Sequence, residues 1–389
     1  MMNRIKIALL LVVISMGQLM YAQEAEEILG IAKESKTEAY YKTQSELWKT
    51  KTAENPKGAH AWHMYYKAKR AYFQMSDYDM WLSDRSGVLA KLKPIIAESK
   101  KNIDGTYEYY LMESLNTVSD KSIQFAMKAY NIDPNRTETY ESLLVEYIKT
   151  NNEGKAVEIS KRMLASNYYS NALYMWNYNA LQTAEENSVF VTLGDNDSMP
   201  RWILQYGKGI RNDVTVVNVW LLHMYKDYRE HMFAKLGLSE MAKKRSDFSN
   251  DVDYVYALMN HILKTSKKPA YVGCGIDVNI FKEAGISDNM YLVGTAFRYS
   301  ETKIDNLALI KRNFELNYKL DYLFNEFQVH KEDEHVKQQI NLTYIPGIMK
   351  LGNHYSLAGD EQKSDYFFGL FDRIAEMSER EEQIRSWYK

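Results

Sequence analysis

Apolar and polar residues alternate along the chain with two different periods, and the period changes twice. From Glu24 to about Ala184, and again from about Ile304, apolar and aromatic residues recur three or four positions apart, as on one helix face. Between Ser188 and about Gly294, short β-branched or aromatic runs alternate with helical stretches. This middle pattern predicts a small parallel sheet covered on both faces. The expected fold class is α/β plus α, with helical regions flanking a small parallel α/β domain.

Four strands and three helices are predicted in the middle region. The strands are expected at residues 189–193, 214–219, 269–273 and 289–294, and the helices at residues 199–206, 221–236 and 252–266. Gly273-Cys274-Gly275 follows the third strand, and we interpret it as a strand-to-loop turn because the later glycine of a phosphate-binding loop is missing.

Small and aromatic residues in the helical regions follow the offsets of the tetratricopeptide repeat, a pair of helices in about 34 residues. The matching positions are Ser122, Ala126, Ala129, Pro134, Tyr140, Leu143, Tyr147 and Ala156, then Ile348, Leu351, Gly352, Tyr355, Gly359, Ser364 and Phe368. Small residues allow close helix approach, and Gly359 is placed to end a helix. We therefore expect tetratricopeptide-like hairpins; a generic array of α-hairpins would follow the same physical logic.

The N-terminus has the pattern of a secretory signal peptide. Arg4 and Lys6 precede the apolar residues 7–14, and small and polar residues follow up to Ala22. An uncleaved anchor is the alternative, but residues 7–22 are shorter than the roughly 20 residues of a membrane-spanning helix. No cysteine follows the apolar run, so a lipoprotein is not expected. The sequence predicts an exported, soluble, periplasmic protein without a transmembrane segment after signal cleavage.

These patterns divide the chain into four predicted regions. They are a signal peptide (1–22), a helical repeat-like domain (23–184), a small α/β domain (185–300) and a C-terminal helical domain with a tetratricopeptide-like hairpin (301–389).

Composition narrows the classes of partner. Lys and Arg number 49 against 51 Asp and Glu, so the sequence has no overall basic character and nucleic acid is not an expected partner. Tyrosine is abundant, with 31 residues, and its apolar ring with a polar end suits half-buried helix surfaces and contact faces. Cys274 is the only cysteine, so the chain forms no internal disulfide.

The segment VFVTLGDNDSMPRW, residues 189–202, ends an apolar strand in polar residues. We call residues 194–197 the GDND turn. Carboxylates and an amide at the end of a strand suit a divalent cation or sugar hydroxyls, and ligands of parallel sheets lie at this edge. The structural alternative is a helix start: Asp197 or Ser198 is a good N-cap, and Pro200 fits a first helical turn.

Residues 194–222 resemble a segment in the soluble C-terminal region of large membrane proteins of certain Gram-negative bacteria. Their polytopic half is similar to GT-C glycosyltransferases, the fold class of protein O-mannosyltransferases. The family pattern is GDND, Thr, an aromatic residue and Pro-x-Trp-x-x-Gln, then Gly-Ile-Arg-x-Asp-Val-x-Val-Val-Asn. This chain departs from it at Ser198, at Met199, and at Arg201, where an apolar residue is usual.

The resemblance continues more weakly through residues 267–273 and 341–360, so it covers roughly the second half of the chain. It implies a fold and a compartment. The glycosyl transfer of the polytopic half is not carried over, because the sequence contains no such half.

The candidate ligand-binding residues lie in and just after the GDND turn. Asp195 and Asp197 are placed to hold a cation or sugar hydroxyls, and Trp202 either stacks on a sugar face or belongs to the core. Arg211 is placed to meet an anionic group or to pair with Asp195. The complete set is Asp195, Asn196, Asp197, Trp202, Gln205 and Arg211. No catalytic residue is identified, no cofactor is expected, and a divalent cation is the single candidate ion.

Two functions remain open. The favoured one is a protein-interaction scaffold or accessory of the bacterial envelope, built on tetratricopeptide-like repeats and binding an envelope or periplasmic protein. The alternative is a glycan- or sugar-phosphate-binding enzyme or accessory of a glycosyltransferase system that uses the GDND turn. Whether the chain is an enzyme is left undecided, since no complete catalytic motif is found.

Overall fold

The computed structural model describes residues 24–31, 34–117, 121–324 and 334–388. The predicted signal peptide lies outside these residues. The chain divides into two compact units. Unit 1 comprises the described residues within 1–29 and 36–117, and unit 2 those within 30–35 and 118–389. The predicted boundaries after residues 184 and 300 both fall within unit 2, whose single hydrophobic cluster extends across them.

Unit 1 is helical. Its α-helices within the described residues are α1 (Glu38–Glu54), α2 (Ala59–Ser76), α3 (Tyr78–Ser83), α4 (Arg85–Ala90), α5 (Lys93–Ile103) and α6 (Tyr107–Asn116). Threonine hydroxyls cap two of them, Thr37 accepting the N–H of Tyr40 and Thr106 that of Tyr109, each at 3.2 Å. The core of the unit is rich in aromatic side chains, among them Trp62, Tyr66, Trp81 and Tyr109.

Unit 2 combines helices with a sheet. Its α-helices within the described residues are α7 (Lys121–Ile132), α8 (Tyr140–Lys149), α9 (Glu153–Ala165), α10 (Asn171–Thr183), α11 (Asp195–Trp202), α12 (Val219–Met224), α13 (Lys226–Leu236), α14 (Asp251–Thr265), α15 (Asn279–Glu283), α16 (Asn306–Arg312), α17 (Glu334–Asn341), α18 (Ile345–Leu357), α19 (Glu361–Glu376) and α20 (Glu381–Trp387). Two π-helical turns, Ile203–Gly207 and Asn313–Asn317, directly follow α11 and α16.

The sheet has five strands in the order β2-β1-β3-β5-β4. The strands are β1 (Val189–Thr192), β2 (Thr215–Asn218), β3 (Ala270–Gly273), β4 (Met290–Leu292) and β5 (Ala296–Tyr299). β1 pairs in parallel with β2 and β3, so Val189 lies opposite Thr215 on one side and Ala270 on the other. Every residue of β1 and β2 is buried, which explains their continuous apolar runs. The four predicted strand positions are confirmed.

The prediction that the sheet is parallel is correct only for β1, β2 and β3. β5 was not predicted, and it pairs antiparallel with β3 and β4. Only Val293, Gly294 and Thr295 separate β4 from β5, too short a connection for the crossover that parallel pairing requires. Gly294 has φ +133°, and a Cβ there would lie 2.1 Å from the Tyr318 hydroxyl, so this tight turn requires glycine. β4 and most of β5 are only half-buried, as expected for an antiparallel edge.

The helices that carry the repeat-like positions form as expected. α7 ends at Ile132, before Pro134, and Ala126 and Ala129 are buried. α18 ends at Leu357, and Gly359, with φ +74°, turns the chain toward α19. The α/β plus α class is confirmed, whereas membership of a tetratricopeptide repeat stays a prediction. No helix within the described residues is long and apolar enough to cross a bilayer.

Gly347 of α18 should not tolerate alanine. An added Cβ would lie 2.6 Å from Cε2 of Phe314, whose buried ring contacts the rings of Tyr318, Tyr344 and Phe367. Overpacking of about 1–3 kcal/mol should exceed the helix-propensity gain of up to about 1 kcal/mol. We expect Gly347→Ala to lower the free energy of unfolding, measured by urea denaturation with circular dichroism.

The matched control is Gly369 in the middle of α19, which is exposed and has no heavy atom within 4 Å of an added Cβ. Gly369→Ala should raise the free energy of unfolding by up to about 1 kcal/mol. Equal stability of the two variants would show that Phe314 has room to move.

Candidate functional site

The GDND turn lies at the carboxyl end of β1, the strand between β2 and β3. α11 starts within the turn, at Asp195, with Gly194 as its N-cap in extended backbone. This is earlier than the predicted N-cap at Asp197 or Ser198, and Pro200 therefore lies in the body of the helix rather than in its first turn. The carboxyl end of β2, at Asn218, also reaches this region, since the Asn218 side chain contacts Ser198.

The carboxylate of Asp197 bonds to the backbone at the start of the GDND turn. Its two carboxylate oxygens accept the N–H groups of Leu193 at 3.0 Å and Gly194 at 2.8 Å. The residue is partly exposed, but protein crowds its carboxylate, and this desolvation raises the pKa of Asp197 against the lowering effects of Arg201 and the backbone N–H groups. Asp197 thus satisfies orphan N–H groups at the helix start.

The side chain of Asn177 replaces a helical hydrogen bond that Pro200 cannot make. Proline has no N–H, so the carbonyl of Asn196, four residues earlier, loses its helical donor. The side chain of Asn177, on α10, donates to that carbonyl at 2.9 Å and to the carbonyl of Leu173 at 2.9 Å. Asn177 is fully buried, so this bond ties α10 to α11 in the interior.

Ser198 joins three elements. Its hydroxyl donates to the Gly194 carbonyl at 2.6 Å, lies 2.7 Å from the Thr192 hydroxyl and accepts from the Asn218 side chain at 2.8 Å. Ser198 and Thr192 are fully buried. The polar residues after β1 are therefore largely engaged with one another and with the end of β2.

Asp195 is the residue of the turn most open to a ligand. It is exposed, and Asn196 is half-exposed. Asp195 is also one of several causes, after burial and Glu141, that hold the pKa of Tyr169 far above its usual value. The Tyr169 hydroxyl donates to the Glu141 carboxylate at 2.5 Å. Asp195 and Glu141 therefore both act on the same tyrosine.

Trp202 and Gln205 point into the protein. Trp202 is 2% exposed, and its indole N–H lies 3.4 Å from the Val216 carbonyl of β2, the edge strand. Gln205 donates to the carbonyls of Arg211 at 2.8 Å and Val214 at 2.7 Å. Of the two readings of Trp202, the core position is observed, and Gln205 holds the loop before β2.

Arg211 bonds to backbone carbonyls at the end of α10. Its guanidinium donates to the carbonyls of Leu181, Ala184 and Glu185 at 2.8–3.0 Å. It also forms a bidentate pair with Asp213 at 2.8 and 2.9 Å, and not the pair with Asp195 that we considered. The pair lowers the pKa of Asp213. The ligand-binding roles of Trp202, Gln205 and Arg211 stay predictions, and the structure gives each side chain a structural contact.

Arg201 was missed as a site residue. It is 0% exposed, and none of its three guanidinium nitrogens has a hydrogen-bond partner among the described residues. Its central carbon lies 4.1 Å from the ring centroid of Phe190 and 5.4 Å from that of Trp176. Burial lowers its pKa to about 10, so it remains charged at neutral pH. The signal in the sequence was an arginine where the pattern that residues 194–222 resemble usually has an apolar residue, one of three departures from that pattern.

Cys274 directly follows β3, the strand next to β1. Its thiol donates to the Thr343 carbonyl at 3.1 Å, and burial raises its pKa to about 12, which disfavours the thiolate at neutral pH. Within the described residues no group of three or more His, Cys, Asp or Glu side chains is arranged to hold a metal ion. The divalent cation stays a prediction without a formed ligand set.

Loss of the Asn177 side chain should be tolerated better when Pro200 is also replaced. Asn177→Ala removes this donor from the part-buried Asn196 carbonyl, at a cost of about 1 kcal/mol. Pro200→Ala restores the N–H at position 200, which can take over that carbonyl. We expect the loss caused by Asn177→Ala, measured by urea denaturation, to be about 1 kcal/mol smaller in the Pro200→Ala background. Equal losses in both backgrounds would contradict this role.

The Arg211–Asp213 pair should make stability depend on pH. The pKa of Asp213 is lower in the folded protein than the roughly 3.9 of an unfolded chain. Its contribution is therefore complete above the unfolded pKa and is lost as the pH falls through the lowered folded pKa. The stability difference between the native protein and Asp213→Asn should be constant above about pH 5 and shrink below about pH 4. In an Arg211→Ala background most of this pH dependence should disappear, and its persistence would exclude Arg211 as the cause.

Part of the chain matches a known family model. Residues 174–346, less than half of the chain, match the family model of TMEM260-associated domain 2. A search of curated proteins found no match. The matched segment starts within α10, contains the whole sheet and the GDND turn, and ends at the start of α18, so the candidate site lies inside the region of similarity to that domain.

Proposed function

We propose that the protein is an exported, periplasmic accessory of the bacterial envelope that binds another envelope protein through unit 1. The charged start and apolar run of the N-terminus support export, and the near-equal numbers of acidic and basic residues argue against a nucleic-acid partner. The feature that carries the proposal is an apolar surface on unit 1.

We use the name apolar surface for four exposed apolar side chains that lie within eight consecutive residues, at the end of α2 and on α3: Met75, Tyr78, Met80 and Leu82. Tyr78 is 56% exposed, Met80 46% and Leu82 45%. Single exposed apolar residues are ordinary, whereas a group of them marks an interaction site. Methionine is flexible and tyrosine combines an apolar ring with a hydroxyl, so these side chains suit a contact with another protein.

One residue of α3 faces the other way and anchors the segment. Trp81 is buried between the guanidinium groups of Arg70 and Arg85, which lie 4.9 and 4.8 Å from its ring. Lys91 forms an ion pair with Asp77 at 2.5 Å, just before α3. The apolar surface is thus held in place from below and has charged neighbours, as in an apolar contact centre with a polar rim.

Unit 2 supplies the alternative function, binding of a glycan or sugar phosphate as an accessory of a glycosyltransferase system. The feature in its favour is the exposed carboxylate of Asp195 at the carboxyl edge of the parallel strands, where ligands of such sheets lie. Its support is narrower, because most neighbouring polar groups already bond to one another.

A crosslinking pull-down from periplasm and envelope, quantified by mass spectrometry, tests the proposal. The triple variant Tyr78→Ser/Met80→Ser/Leu82→Ser should lose at least about 90% of a partner that the native protein captures, since central apolar contacts dominate binding energy. The matched control is Leu357→Ser at the end of α18, which is 91% exposed. It makes the same kind of change in unit 2 and should retain the partner.

An Asp195→Asn sample separates the two functions. Because Asp195 is exposed, the substitution should leave the fold intact. A partner lost with Asp195→Asn but kept by the triple variant would assign binding to the GDND turn and overturn the proposal for unit 1.

A further inference from the structure

The interior of unit 2 contains a cation without a hydrogen-bonding partner. Arg201, on α11, has no solvent exposure, and its Nε, Nη1 and Nη2 atoms lack hydrogen-bond acceptors among the described residues. A buried guanidinium normally bonds to a carboxylate or to carbonyl oxygens, as Arg211 does in this same unit. The two arginines therefore differ in their hydrogen bonds. The protein provides carbonyl and carboxylate acceptors for Arg211 and none for Arg201 among the described residues.

Nearby groups stabilise the charge of Arg201 without satisfying its N–H groups. The rings of Phe190 and Trp176 offer their π-electrons at 4.1 and 5.4 Å, but they leave the guanidinium without strong acceptors. Asp197 is one helical turn away and its charge acts on Arg201, yet no nitrogen of Arg201 forms a hydrogen bond to it. The guanidinium of Arg201 therefore lacks a hydrogen-bond acceptor, and a negatively charged acceptor would suit it best.

The position of this cation is one where ligands of parallel sheets lie. Arg201 packs on Phe190 of β1, and its charge acts on Cys274, the residue after β3, so it lies near the carboxyl ends of two parallel strands. Asn177, which bonds to the GDND turn through its amide nitrogen, has a buried side-chain oxygen that also lacks a partner among the described residues. Unsatisfied polar atoms thus occur on both α10 and α11 around the turn.

We propose that Arg201 receives a small oxyanionic group, a phosphate or a carboxylate, in the interior of unit 2 behind the GDND turn. The fork of the guanidinium matches two oxygens of such a group, and the charge of one buried arginine balances one negative charge. The site uses none of the exposed atoms of Asp195 and does not depend on the apolar surface of unit 1, so it stands or falls separately from the proposed partner binding.

The test is a thermal unfolding titration of the full chain and of Arg201→Met. Inorganic phosphate, a sugar 1-phosphate and glucuronate are added separately, each against sodium chloride of equal ionic strength. At about 100-fold the dissociation constant, one of these anions should raise the unfolding midpoint of the native protein by about 4 °C. Arg201→Met should lose this rise while remaining folded, because methionine fills the apolar surroundings and removes a buried charge without a partner.

Two controls make the result specific. Arg298→Met removes an arginine that already pairs with Glu185 at 2.5 Å, and it should keep the anion-induced rise. Because the guanidinium of Arg201 is enclosed, the rise should also persist in 0.3 M sodium chloride, whereas binding to surface lysines would be screened. The anion with the smallest dissociation constant identifies the source of the oxyanion.

Three results would overturn the inference. They are no rise above the chloride control with any of the three anions, an equal rise in Arg201→Met, and a high-resolution crystal structure grown with the anion that shows water alone at the guanidinium. An equal rise in the variant would mean that the anions act by exclusion from the protein surface or at another site.

Discussion

The burial of β1 is the constraint on which the rest of unit 2 depends. β1 lies between β2 and β3, with every residue buried, and the chain reaches the surface only at Gly194 and Asp195 before α11 returns to the interior. Each buried N–H and carbonyl at this end of the strand must find a partner, at a cost of roughly 1–3 kcal/mol for each one left without. The GDND turn, the buried hydroxyls of Thr192 and Ser198, and the side chain of Asn177 together supply these partners.

This constraint explains why so polar a turn follows so apolar a strand. Asp197 takes two N–H groups that the start of α11 leaves free, and Ser198 connects the turn to the ends of β1 and β2. Asn177 supplies the donor that Pro200 lacks. The turn is therefore a set of mutually bonded groups, and only Asp195 and Asn196 keep side chains toward the surface. Capping accounts for Asp197, whereas Asp195 lies exposed at the first position of the helix.

Sequence patterns predicted the parts of the fold that depend on local periodicity. Runs such as Val189–Thr192 are continuous and apolar because parallel strands are covered on both faces, so they could be recognised without a structure. β5 could not, since its half-buried residues carry a weak pattern and its pairing is set by a turn of three residues. The start of α11 at Asp195 was missed because Asn177, nineteen positions before Asn196, donates to the Asn196 carbonyl and so makes Pro200 acceptable inside the helix.

The same reasoning applies to the candidate site. By residue type alone, Arg211 and Arg201 are equally good candidates for binding a ligand. The pattern that residues 194–222 resemble favours Arg211, because Arg211 matches that pattern and Arg201 does not. The surroundings of the two side chains make Arg201 the better candidate for binding a ligand. Arg211 is used up by three carbonyls and Asp213, contacts that come from segments distant in sequence and cannot be inferred from spacing.

Arg201 lies one residue before a core tryptophan, on a helix whose neighbouring residues are buried, and an aliphatic side chain would fit there at lower electrostatic cost. A charge retained where it costs folding energy needs a compensating interaction. The described residues supply the aromatic contacts and the charge of Asp197 but no hydrogen bond to the guanidinium, which the proposed anion would supply.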